Sequence, residues 1–278
     1  KKDDYAWWQQ RLGRMQQFFD AFRIDHILGF FRIWSIPKPF TDGIMGHFDP
    51  ALPMSSQELK QFNFMGNPAY FTLPVVDRYY IDTLTGSYAQ VIDDQMFVPT
   101  AFGHRQMKRE FFNPIKIQDW LNDHVAENDR PLIFKALQQL MREILFIQAN
   151  DNHWHPRIML TESRLFNQLS QPEQVALRQI HEHYFYNRHN EFWKHSATER
   201  LEGTLKKCKM LVCGEDLGMI PASVPEVMQK LQILSLEIQR MPKDINNKFG
   251  NTWQYPYLSV CTTSTHDISS MRGWWEEN

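Results

Sequence analysis

Cysteine is scarce in this chain of 278 residues: Cys208, Cys213 and Cys261 are an odd number, and no two form a CxxC pair. That argues against a disulfide framework or a cysteine zinc site and points to reduced thiols in a reducing compartment. Basic blocks are absent and the formal net charge is −2, which argues against nucleic acid or an anionic membrane as the main partner. No apolar run reaches the roughly 18 residues of a membrane-spanning helix. The first residues, Lys1-Lys2-Asp3-Asp4-Tyr5, lack the apolar region of a signal peptide, so the expected location is cytoplasmic. Internal repeats and low-complexity tracts are also missing. Asp151, His153 and His155, like His181, His183 and His189, match no specific zinc spacing, and no metal is expected. Aromatic residues, in contrast, are plentiful at 14%, nine of them Trp. They suit core packing or sugar-stacking platforms, and composition does not separate the two.

Along the chain, residues 5–22 read as an amphipathic helix, because Trp8, Leu12, Met15, Phe19 and Phe22 fall on one stripe. It runs straight into the strand-like Phe22-Arg23-Ile24-Asp25, which makes half of a βαβ unit. Residues 36–110 are rich in Pro and Gly breakers and read as irregular. Residues 115–207 read as mostly helical, with helices over 115–127, 131–147 and 171–193. After residue 208 the pattern becomes α/β. Met210-Leu211-Val212-Cys213 is a buried strand ended by Gly214, and 233–238 and 257–263 are further strands. Ser223-Val224-Pro225-Glu226 reads as a capping box, and a last helix opens over 268–275, with Asp267 as its candidate N-cap. Such alternation favours a parallel sheet.

Three acidic motifs each close a strand: Arg23-Ile24-Asp25-His26, Gly214-Glu215-Asp216-Leu217-Gly218 and Thr265-His266-Asp267. Arg23 and Asp25 are two apart, so they share a strand face, where a guanidinium keeps a carboxylate ionised as a glycosyl nucleophile requires. A structural ion pair has the same spacing. Glu215 follows a glycine that permits a close backbone turn and is a candidate general acid, though a solvated Glu-Asp loop pair looks alike in sequence. A His can donate to, and an Asp accept from, sugar hydroxyls. Three carboxylates at separate strand ends suggest a (β/α) barrel glycosidase or glycosyltransferase.

Together these motifs, with Tyr5-Ala6-Trp7-Trp8 and Ser264-Thr265-His266-Asp267, resemble the 4-α-glucanotransferases of glycoside hydrolase family 77. The resemblance implies a (β/α)8 TIM barrel and retaining transfer of α-1,4-glucan units. It implies Asp25 as nucleophile, Glu215 as acid/base and Asp267 as third carboxylate, with Arg23, His26 and His266 binding substrate and no cofactor. Asp25 and Glu215 stand 190 positions apart, whereas one βα unit needs about 30 residues. That excess is similar to the subgroup of the plant cytosolic disproportionating enzyme, which carries a large insertion here. Phe30-Phe31-Arg32-Ile33-Trp34, Asn187-Arg188-His189-Asn190-Glu191-Phe192-Trp193 and Glu237-Ile238-Gln239-Arg240-Met241-Pro242 also resemble it. Maltose, maltooligosaccharides and a glycogen- or starch-like glucan are the implied partners.

The expected fold is therefore α/β: a partial barrel, about strands four to seven, with a large, mostly helical insertion. Barrel parts are expected at 1–39 and 208–278 and the insertion at 40–207. The chain is expected to be an internal piece, inactive alone. An α-1,4-glucan hydrolase is the near alternative, since both reactions use the same carboxylates. A non-catalytic glucan-binding piece is the alternative of another class.

Overall fold

The computed structural model describes residues 3–100, 103–244 and 246–277. The chain forms two compact units, Lys1–Ile33 with His189–Asn278, and Trp34–Arg188.

The first unit is α/β. Helix α1 (Ala6–Met15) leads through a turn into strand β1 (Ala21–Ile24), and helix α2 (Asn190–Leu205) leads into strand β2 (Leu211–Gly214). Helix α3 (Ser223–Lys230), strand β3 (Ser235–Ile238), strand β4 (Ser259–Thr262) and helix α4 (Met271–Glu277) follow. β1 pairs parallel to β2 with Arg23 opposite Cys213, and β3 pairs parallel to β4 with Glu237 opposite Cys261. The two pairs are joined where Leu234 bridges Cys213. There Gly214 N–H donates to the Leu234 carbonyl at 2.8 Å and Leu234 N–H to the Val212 carbonyl at 2.9 Å. The four strands thus run parallel in chain order, the arrangement that crossover helices produce. Among the described residues they form an open row and not a closed barrel.

Local details depart from the sequence expectations. The first helix stops at Met15 instead of continuing to 22, because the strand begins at Ala21. Of its stripe only Leu12 is buried within the helix, while Trp8 and Phe19 are exposed. Ser223 is not an N-cap. Val224 N–H already bonds the Pro221 carbonyl, which places Ser223 inside the first turn, and no side chain caps the helix. Nor does Asp267 cap the last helix, which starts four residues later; Ser270 Oγ accepts from Gly273 N–H at 3.1 Å instead. Helix α2 lies within the range expected for the insertion, yet it packs with α1 and α3 in the first unit.

The second unit is less irregular and less helical than expected. Two three-stranded antiparallel sheets appear, one of Met54–Ser55, His153–Pro156 and Phe146–Asn150, the other of Val75–Asp77, His104–Met107 and Phe97–Pro99. Helices Arg78–Thr85, Ala89–Met96, Pro114–His124 and Arg130–Met141 share a core that includes Ile81, Ile92, Ile117, Leu121 and Leu137. The helix expected over 131–147 ends at Met141, and the next segment is a strand. The one expected over 171–193 breaks into Gln171–Glu182 and a π-turn at His183–Asn187. Asp93 is buried, and Arg78 at 2.6 Å and Arg105 at 3.0 Å satisfy its charge.

A capping box does form at Ser55. Glu58 N–H donates to its hydroxyl at 3.3 Å, and Glu58 Oε2 accepts from Ser55 N–H at 2.8 Å. Glu58 also pairs with Arg188 at 2.6 Å. Ser55→Ala is expected to cost about 1 kcal/mol. Glu58→Ala should cost more, because it also strips Arg188 of its carboxylate. Urea denaturation gives both values, and equal costs would contradict this.

Candidate active site

Arg23, Asp25, His26 and Glu215 come together where β1 and β2 end. The parallel register sets Ile24 beside Gly214, so the next residues leave the sheet side by side. Glu215 N–H donates to the Ile24 carbonyl at 2.9 Å, and Ile27 N–H to the Glu215 carbonyl at 3.1 Å. His26 takes a left-handed conformation with φ of 45° and turns its N–H onto Glu215 Oε2 at 2.6 Å. A Cβ at Gly214 would sit 2.7 Å from Ile27 Cδ1, so a larger residue here would push the Ile27 side chain aside. The left-handed glycine of the motif is Gly218, with φ of 93°.

One guanidinium bridges the two carboxylates. Arg23 lies 2.8 Å from Asp25 Oδ1 and 3.5 Å from Glu215 Oε2. Those two contacts limit the separation of the nearest carboxylate oxygens to about 6 Å, beside about 5–5.5 Å in retaining glycosidases and about 6.5–9.5 Å in inverting ones. The pair is asymmetric in exposure. The Asp25 side chain is 76% exposed and that of Glu215 16%, so one carboxylate is open to an incoming molecule and the other is shielded.

The loops beneath are anchored from the interior. Arg32, almost fully buried, reaches the Met219 carbonyl in the loop after Glu215 and lies over the Trp193 ring at 5.4 Å. Burial pushes its pKa down to about 10. Arg200 donates to the Phe30 carbonyl at 3.0 Å.

Asp216 is buried, so it is not a solvated loop residue. It accepts from Leu236 N–H at 2.9 Å and pairs with Lys243 Nζ at 2.7 Å; Lys243 also binds Glu237 at 2.7 Å. Burial pushes the Asp216 carboxyl above its usual value, against the pull of Lys243 and the Leu236 amide. Lys243 and Glu237 were not identified from sequence. Glu237 carried a usable signal, since a charge between Leu236 and Ile238 in a mostly apolar strand has to find a partner.

Asp267 and His266 follow the end of β4 and remain exposed, with His266 Nε2 3.3 Å from Asp267 Oδ1. Among the described residues, no hydrogen bond or ion pair joins them to Asp25 or Glu215. All three carboxylates nonetheless leave the carboxyl ends of parallel strands, and so one edge of the sheet. Among the described residues no cluster of three metal-ligating side chains occurs. His155 bonds Tyr184 Oη at 2.6 Å and stacks on His47, while His153 bonds Asn150 at 3.0 Å. No helix of the described residues is long and apolar enough to cross a membrane.

Carboxylates at the carboxyl ends of parallel strands are the arrangement of α/β enzymes that cleave or transfer glycosides. Comparison with known proteins agrees: the sequence model of the 4-alpha-glucanotransferase family matches residues 1–278. The chain belongs to that family. It is 34% identical over its whole length to the 4-alpha-glucanotransferase DPE2 of Oryza sativa subsp. japonica, of which it spans 30%. A 4-alpha-glucanotransferase of Chlamydia muridarum is 38% identical over 83 residues, 29% of this chain and 16% of that protein. The plastid 4-alpha-glucanotransferase of Solanum tuberosum is 40% identical over 48 residues, 17% of this chain and 8% of that protein. The chain therefore spans less than a third of the length of these relatives. No solved structure matches it.

Proposed function

We propose that this chain carries the reacting carboxylates of a retaining 4-α-glucanotransferase. The observation that carries the proposal is the single guanidinium of Arg23 in contact with both Asp25, at 2.8 Å, and Glu215, at 3.5 Å, which is close enough to accommodate the carboxylate spacing of a retaining enzyme. In the first step an Asp25 oxygen attacks the anomeric carbon of the donor. The bond from that carbon to the 4-oxygen of the leaving sugar breaks, and Glu215 gives that oxygen its proton. The sugar is then esterified to Asp25. In the second step Glu215, now a carboxylate, takes the proton of an acceptor 4-hydroxyl, whose oxygen displaces Asp25. Arg23 holds Asp25 in line. Asp267 accepts from hydroxyls of the donor sugar, and His26 and His266 contact the same sugar.

β1 to β4 are consecutive strands of a (β/α)8 barrel, about the fourth to the seventh. Residues 40–207, most of which fold as the second compact unit, are an insertion between nucleophile and acid/base. Maltose or maltooligosaccharides are donors, a glycogen- or starch-like glucan is the acceptor, and the enzyme works in the cytoplasm. The rice relative, a 4-alpha-glucanotransferase similar along this whole chain, supports glucan transfer as the reaction.

The test is incubation of the full-length protein with maltose and glycogen. Transfer releases one glucose for each glucosyl unit added to glycogen. Glucose without glycogen elongation would favour hydrolysis, and glycogen binding without turnover would favour a binding role.

A further inference from the structure

Arg240 stands two residues past β3 and has no part in the chemistry above. Its guanidinium enters the neck of the loop that follows β4. Nε donates to the Thr263 carbonyl at 3.0 Å, and a terminal nitrogen donates to Ser264 Oγ at 2.6 Å and to the Ser269 carbonyl. Ser264 Oγ closes the neck by donating to the Ser269 carbonyl at 3.0 Å, and Gln239 N–H donates to the Thr262 carbonyl at 3.0 Å just below it. The guanidinium also lies over the Trp274 ring at 5.4 Å. One side chain from a neighbouring strand thus binds both ends of a loop whose tip is Thr265-His266-Asp267-Ile268.

The tip's own bonds are local. Asp267 N–H donates to Thr265 Oγ1 at 3.3 Å, Ile268 N–H to the Thr265 carbonyl at 3.4 Å, and the His266–Asp267 pair is exposed. The orientation of the Asp267 carboxylate is therefore inherited from the neck. We propose that Arg240 is a positioning residue for Asp267, with Asp267 acting as the third carboxylate of the transfer reaction proposed above. A planar fork with several fixed N–H directions can bind Thr263, Ser264 and Ser269 at once, and a lysine ammonium cannot match those directions. Without the clamp the loop ends separate. A displacement of about 1 Å at a reacting group costs on the order of 100-fold in rate.

The experiment is a mutant cycle on the full-length enzyme with maltose as donor and glycogen as acceptor. Arg240→Ala is expected to lower kcat by roughly 10- to 100-fold, with KM for glycogen unchanged. Arg240→Lys is expected not to restore it, whereas ethylguanidinium added to Arg240→Ala restores part of the rate. Added ethylguanidinium does nothing for Asp267→Asn, and Arg240→Ala costs little more in the Asp267→Asn background, since coupled residues are not additive. Wild-type kcat in Arg240→Ala, or independent multiplication of the two effects, would overturn the proposal. If Arg240→Ala fails to fold, Arg240→Lys keeps charge and stem and carries the cycle. An active Asp267→Asn would sink the role of Asp267 and the clamp with it. Inactive Asp267→Asn beside fully active Arg240 variants would sink the clamp alone.

Discussion

Asp25→Asn is expected to lower glucan transfer by roughly 10⁴-fold or more and to leave the fold standing. The Asp25 side chain is largely exposed, and its ion pair with Arg23 at 2.8 Å lies near the surface, where such pairs contribute about 1 kcal/mol at most. The carboxamide is nearly the same shape but is too weak a nucleophile to form the sugar ester. Glu215→Gln should fail differently. It cannot protonate a departing 4-oxygen, but a donor such as α-glucosyl fluoride needs no such proton. The first step then proceeds while the second, which needs a base at Glu215, stalls. Intact-protein mass spectrometry should find one anhydroglucose added to Glu215→Gln, carried on the peptide that contains Asp25, and none added to Asp25→Asn. Sugar found on another carboxylate, or an Asp25→Asn variant with undiminished rate, would refute the assignment of roles.

The parts of this site that could be read from the chain are those fixed by local geometry. Arg23 and Asp25 meet because alternate residues of one strand share a face, and the contact forms at 2.8 Å. Glu215 reaches them only through the parallel register of β1 and β2, yet its place after an apolar run and a glycine marked it. Arg240 and Lys243 had no such mark. Each reaches a partner more than 20 positions away in sequence, Arg240 to Ser264 and Lys243 to Asp216, and nothing near either residue states the register that joins them. Local patterns also misled where a neighbour outcompeted them. Ser223-Val224-Pro225-Glu226 has the letters of a capping box, but the turn already begins at Pro221. Phe146-Ile147-Gln148-Ala149 extends a helical pattern, but pairing with His153–Pro156 makes it a strand. In each case a contact outside the window decided the structure.

Lys243→Met is expected to destabilise the protein by on the order of 3 kcal/mol near neutral pH. Asp216 and Glu237 are both buried, and Lys243 at 2.7 Å is the cation that both share. Taking it away leaves two carboxylates facing one site, and removing one partner of a buried pair costs more than never having built the pair. The loss should depend on pH in a defined direction. Burial already holds the Asp216 carboxyl above its ordinary 3.8, so the native state binds this proton more tightly than the unfolded chain does. Its contribution to stability is therefore fully present below the unfolded value and is lost as pH rises through the folded one. Without Lys243 the folded value climbs further. The penalty of Lys243→Met should then be largest at neutral pH and shrink as the solution is acidified and Asp216 becomes neutral. Neutralising the site by chemistry should do the same: Asp216→Asn with Glu237→Gln in the Lys243→Met background should recover much of the loss, since the repulsion and the unpaired charge both disappear. Urea midpoints at neutral and mildly acid pH measure each arm. A Lys243→Met penalty that is independent of pH, or that the double carboxamide deepens, would mean that Lys243 contributes packing by its stem and not charge compensation. Because Asp216 is bonded directly to Glu215 in the chain, the same variant should also lose transfer activity, and the carboxamide pair should return it together with stability.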